Sequence, residues 1–111
     1  MNNSVHLIGV LVADPKLRTL EHRGVTSTIV SLWLDVRTGE RTDRFTIEIY
    51  CPRQQETAKA MRKNVKAEVR GVLRHDRWKI KGTDTWTGKV FVAIDPAEGV
   101  VKSLGVVETA A

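Results

Sequence analysis

Toward the middle of the chain, tryptophan stands among cations: Arg70, Arg74, Arg77, Trp78, Lys79, Lys81, Trp86 and Lys89 follow one another closely. A flat ring offers a nucleic-acid base a surface to stack on, and a neighbouring cation holds the adjoining phosphate. The residues just before show how these side chains are laid out. Val65, Ala67, Val69, Gly71 and Leu73 alternate with Lys66, Glu68, Arg70 and, two steps on, Arg74. This is the period of a strand with one buried face, and continued regularly it puts Trp78 on the charged side.

Two more segments add rings by the same rule. Val30, Leu32, Leu34 and Val36 face one way, and Ser31, Trp33, Asp35 and Arg37 the other. Phe45, Ile47 and Ile49 face inward, and Thr46, Glu48 and Tyr50 outward. Trp33, Tyr50 and Trp78 therefore all fall off the core parity of their strands. Large rings normally go inside, so three that do not suggest a stacking platform, each base contributing roughly 1–3 kcal/mol. The plainer reading covers one or two of them with a subunit interface or the tail. Trp86 has no parity argument and either stacks on a base or braces its hairpin. Phe45 and Phe91 read as core.

The charge is local. From Arg53 to Lys89 there are eleven Lys/Arg and four Asp/Glu, a net of +7, whereas the rest of the 111-residue chain has seven and nine, a net of −2. A basic stripe points to a polyanion more sharply than the overall pI does, although such a stripe can also be an ordinary solvated face. A lone cysteine, Cys51, cannot form an internal disulfide, and the expected location is the cytoplasm. The apolar run Val5 to Ala13 is too short to span a bilayer and has no basic flank, so no signal peptide or membrane partner is expected.

The elements that must carry these residues form one domain. A first strand, Val5 to Ala13, closes at Asp14-Pro15. Leu20 to Gly24 reads as a polar connection, Val25 to Val36 as a long second strand and Arg44 to Cys51 as a third. Pro52 opens a short helix from about Arg53 to Lys63, with Asn64 suited to a left-handed cap. A fourth strand runs from Val65 to about Trp78, Lys81 to Lys89 is a hairpin arm, and Val90 to Ile94 is a fifth strand. The tail beyond Pro96 is apolar enough to pack. One helix is too few for a parallel βαβ sheet. The order fits an all-β, five-stranded OB-fold barrel with the helix between strands three and four and an extended hairpin arm between strands four and five. A small sandwich or SH3-like barrel is the runner-up. Residues 1–104 make the OB-fold domain, and 105–111 a short tail.

Enzyme chemistry finds little support, and no catalytic, cofactor or metal site is assigned. His6, His22 and His75 are scattered, and the phosphate-binding and dinucleotide loops are missing. Asp35, Asp43, Glu48 and Asp76 could make a two-metal nuclease site, but their spacing does not select one.

In order and spacing, several motifs resemble those of the bacterial single-stranded DNA-binding protein family. They are Asn3 to Leu11 followed by Asp14-Pro15-Lys16-Leu17-Arg18, then Gly24-Val25 leading to Val30-Ser31-Leu32, Met61-Arg62-Lys63-Asn64, Val69 to Arg74, and Trp78. The resemblance covers about residues 3 to 104. It implies stacking by Tyr50, where the family has Phe, and by Trp78, with phosphate contacts from Arg18, Arg62, Lys63 and Arg74. Arg44 stands where the family has a third-strand Trp, and Trp33 where it usually has a small residue. Val10 and Val12 replace the family's usual Asn and Gly. The family forms tetramers, so a homo-oligomer is expected, tetramer before dimer.

The family usually continues into a linker and an acidic tip that recruits replication and repair proteins. This chain stops at Ala111, which suggests a tail-less member without those partners. Primosomal replication protein N is a nearby alternative. The expected function is sequence-independent binding of single-stranded DNA in replication, recombination or repair. An RNA-binding or primosomal module, a metal-dependent nuclease and a basic module for an acidic protein are the alternatives.

Overall fold

The computed structural model describes residues 2–106, so expectations for residues 107–111 lie outside it. Strand β1 (Val5–Leu11) is followed by β2 (Lys16–His22), β3 (Val25–Thr38), β4 (Arg41–Ile49), helix α1 (Pro52–Lys59), β5 (Val65–Lys79), β6 (Trp86–Ile94) and β7 (Val100–Val106). Five strands close a ring in the order β1-β3-β4-β6-β5, and β5 pairs back to β1. All of these pairings are antiparallel except β4 with β6. This is the barrel expected from the sequence, with its helix between β4 and β5.

Two strands were not foreseen. β2 continues β1 along the same edge of β3, after a break at Val12 to Pro15, so a strand replaces part of the expected polar connection. A two-residue turn then leads into β3. Arg23 at φ 52° and Gly24 at φ 77° are both left-handed, the combination that matches the twist of a tight hairpin. β7 pairs antiparallel with β5, so the apolar tail packs as a strand as far as Val106.

Other boundaries also move. β6 begins at Trp86 and pairs with β5 as far as Lys79, making the arm a regular ladder closed by Ile80 to Thr85. The helix ends at Lys59, short of the expected Lys63. Arg62 and Lys63 lie in the following turn, where Asn64 takes φ 75°.

The barrel interior is filled by Leu11, Val30, Leu32, Leu34, Ile47, Ile49, Val69, Val92 and Ile94, with Ala58 and Met61 closing one end. Two buried amides pin α1. Gln54 donates to the carbonyls of Asp95 and Gly99, and Gln55 to those of Thr28 and Ile49. Phe45 faces the core but is half-buried. Phe91 is buried as expected, but on the opposite parity of β6 from Val92 and Ile94, apart from the main cluster.

Candidate nucleic-acid interface

Strand registers lay out one continuous outer face. A single row crosses five strands, with Lys16 on β2 beside Ser31 on β3, Glu48 on β4, Ala93 on β6 and Val72 on β5. Alternate residues share a face, so Arg18, Trp33, Asp35, Arg44, Thr46, Lys89, Phe91, Arg74, Asp76 and Trp78 lie on it too. Tyr50, one residue past the end of β4, borders it.

Two shallow hollows open on this face, each of about 250 Å³. The first is lined by Trp33 and Thr46 with the cations Lys16, Arg18 and Lys89. The second is lined by Tyr50 and Arg74 with Val72, Ala93, Ile94, Asp95 and Pro96. Each therefore pairs a ring with a cation, the two things a stacked nucleotide needs. Trp78 stands further along β5, about half exposed.

Glu48 lies among them and is 2% exposed. Its Oε1 accepts from Arg18 Nη2 at 3.0 Å and from Lys89 Nζ at 3.0 Å. Its Oε2 accepts from the Tyr50 hydroxyl at 3.4 Å. Lys89 reaches it across Phe91, with its ammonium 5.0 Å from the ring centre. Tyr50 is pushed up to about 12, first by loss of water and then by the charge and hydrogen bond of Glu48, so its hydroxyl stays protonated as a donor. Arg44 bonds both carboxylate oxygens of Asp35, at 2.9 and 3.3 Å. That hydrogen bonding holds the Asp35 carboxyl below the usual carboxylate range.

The remaining expected site residues lie elsewhere. Arg77, Lys79 and Trp86 project from the opposite face of the arm, beside the exposed Leu73 and Val90. There the Arg77 guanidinium lies 5.9 Å from the centre of the Trp86 ring, and Lys79 pairs with Asp84. Lys81 is at the arm tip. Arg70 lies on the β1–β5–β7 side, aligned with His6 and Val100. Arg62 donates to the carbonyls of Lys59 and Met61, and the Lys63 amide to Asp14. This turn is separated from Trp78 by about 40 Å measured along the strand.

Lys16 and Phe91 join the face although neither was expected on it. Lys16 alternates with Arg18, which is a usable signal. Phe91 has none, because its type alone suggests the interior. Of the acidic quartet, Asp35, Asp43 and Glu48 are each paired with a cation. Among the described residues, no three His, Cys, Asp or Glu side chains converge as metal ligands.

No protein-family model matches the chain. A single-stranded DNA-binding protein of Thermosynechococcus vestitus is 30% identical over 81 residues, covering 73% of this chain and 68% of the relative. The chain belongs to the single-stranded DNA-binding protein family. A solved structure of a Plasmodium falciparum SSB in complex with ssDNA superposes with a TM-score of 0.79, covering 94% of this chain and 96% of that one. At 17% identity that likeness shows a shared fold. Family membership agrees with the barrel, and the Glu48 cluster is a feature of this chain's own side chains.

Proposed function

We propose that the chain binds single-stranded DNA with little sequence preference, stacking bases on Tyr50, Trp78 and Trp33 and holding phosphates with Lys16, Arg18, Arg74 and Lys89. The observation that carries this reading is the continuous outer face, on which each of two aromatic hollows has its own cation. Its family membership supports it, as does the DNA bound by the structural neighbour. Base stacking needs an unpaired base, so duplex is disfavoured. Within the same proposal the protein is a non-catalytic, cytoplasmic homo-oligomer, a tetramer rather than a dimer, acting in replication, recombination or repair. Ile8, Leu104 and Val106 leave apolar surface on β1 and β7 for such contacts.

Intrinsic fluorescence tests the reading, since all three tryptophans are on or near the binding elements. Poly(dT) should quench it and bind more tightly than duplex DNA, with poly(rU) as the measure of RNA binding. Trp78→Ala and Tyr50→Ala should each weaken binding by roughly 1–3 kcal/mol without unfolding the barrel. Equal affinity for duplex, or affinity indifferent to salt, would count against it. Sedimentation at micromolar concentration should show more than a monomer.

A further inference from the structure

One charge on the proposed interface has the wrong sign for its ligand. Glu48 occupies the central row of the face on which a polyanion would lie, and its carboxylate is almost wholly buried. A buried carboxylate is tolerated where its partners are fixed around it. Here they are Arg18, Lys89 and Tyr50. The two cations are not used up by it. The Arg18 and Lys89 side chains are 44% and 40% exposed, so each has one side on Glu48 and the other toward solvent. A guanidinium has five donors and an ammonium three, enough to serve the carboxylate and a phosphate together. Both side chains line the Trp33 hollow.

We propose that Glu48 is a fixed counter-charge within the DNA-binding face: a positioning residue that aims Arg18 and Lys89 at a backbone phosphate beside Trp33 and limits how tightly that phosphate is held. Without it, the two cations would be less well aimed and the hollow more positive. A strand would then bind more strongly at low salt and leave less readily. With it, the site gains geometry at the expense of net charge, which suits a protein that must give its strand up. This inference rests on the proposed binding of single-stranded DNA and concerns how one subsite is tuned.

The test compares the wild-type chain with Glu48→Gln, which keeps the size and an acceptor oxygen for Arg18 and Lys89 but removes the charge and turns the Tyr50 side into a donor. Binding of an oligo(dT) is measured over a salt series. The variant should show a slope of log affinity against log salt steeper by about 0.7, equivalent to one further phosphate neutralised. It should also bind roughly three- to tenfold more tightly at low salt. A purely structural Glu48 would lower the unfolding midpoint and leave that slope alone. Should Glu48→Gln not fold, as judged by circular dichroism, Lys89→Met is compared with Glu48→Gln/Lys89→Met, where Arg18 alone faces the altered side chain. An unchanged or shallower slope in the comparison that folds overturns the inference. Failure of the wild-type chain to bind oligo(dT) overturns instead the function on which it rests.

Discussion

Tyr50 joins two properties in one side chain: a ring for stacking and a hydroxyl tied to a buried carboxylate. Its ionisation, pushed up to about 12, reflects first the loss of water around the hydroxyl and then the proximity of Glu48. It is the chain's single tyrosine, so absorbance in alkali reads it alone. The phenolate should appear well above pH 10 in the folded protein, and Glu48→Gln should bring the midpoint down. A wild-type midpoint near 10 would mean that the hydroxyl is not held as described. The sign for stability follows. The folded value lies above the unfolded one, so this contribution is fully present below pH 10 and is lost as pH rises through about 12. Much at this scale was legible in the sequence, because alternation alone put Trp33, Trp78 and Glu48 on one face of their strands. Alternation does not say which outward side chain will be covered by its neighbours. Glu48 therefore looked like surface charge and proved to be buried, and Phe91, buried as expected, proved to lie on the outer parity of its strand.

Elements with a clear buried face were the legible ones. β3, β4 and the first half of β5 alternate in sequence, and their expected spans lie close to those observed. β2 did not read as a strand because all seven of its residues are exposed, and Leu17 and Leu20, three apart, break the alternation. β7 pairs through a register irregularity at Lys66/Ala67 and has one free edge, so its pattern is also imperfect. The helix stops at Lys59 although Ala60, Met61 and Arg62 would suit a further turn, because the chain must swing back so that the Asn64 amide reaches the Leu11 carbonyl. Two glycines test these assignments by different physics. A Cβ on Gly71 would lie 2.4 Å from the Ala93 carbonyl oxygen and 3.0 Å from a Val92 methyl, where β5 and β6 close the barrel. Gly71→Ala should therefore lower the unfolding free energy by about 1–3 kcal/mol or more. At Gly24 a Cβ meets nothing, and the cost of alanine is the left-handed φ of 77° alone, about 1 kcal/mol. Denaturant midpoints with unchanged slopes would measure both, and Gly71→Ala as stable as wild type would contradict the pairing of β5 with β6.

Across the whole molecule, what looked in the sequence like one basic stripe is divided by the fold. The outer face has Lys16, Arg18, Arg37, Arg44, Arg74 and Lys89 against Asp35, Glu48 and Asp76, a net of +3. The reverse and tip of the arm have Arg77, Lys79 and Lys81 against Asp84, a further +2. Arg62 and Lys63 sit at the helix turn, the Arg62 guanidinium donating to backbone carbonyls and the Lys63 main-chain amide to Asp14. One short strand cannot reach all of these, because the molecule is 49 Å long and the arm presents its two sides in opposite directions. The salt dependence should therefore grow with strand length. An oligonucleotide of about eight residues, within the usual span of one OB-fold, should meet the outer face and give a slope of about −2.1. A strand long enough to pass around the arm should steepen that figure by about 1.4 more as Arg77, Lys79 and Lys81 are engaged. Arg77→Met together with Lys79→Met should flatten the slope for the long strand and leave the short one unchanged. Equal slopes at both lengths would mean that the reverse of the arm takes no phosphate, and that Arg77 is there to hold the Trp86 ring.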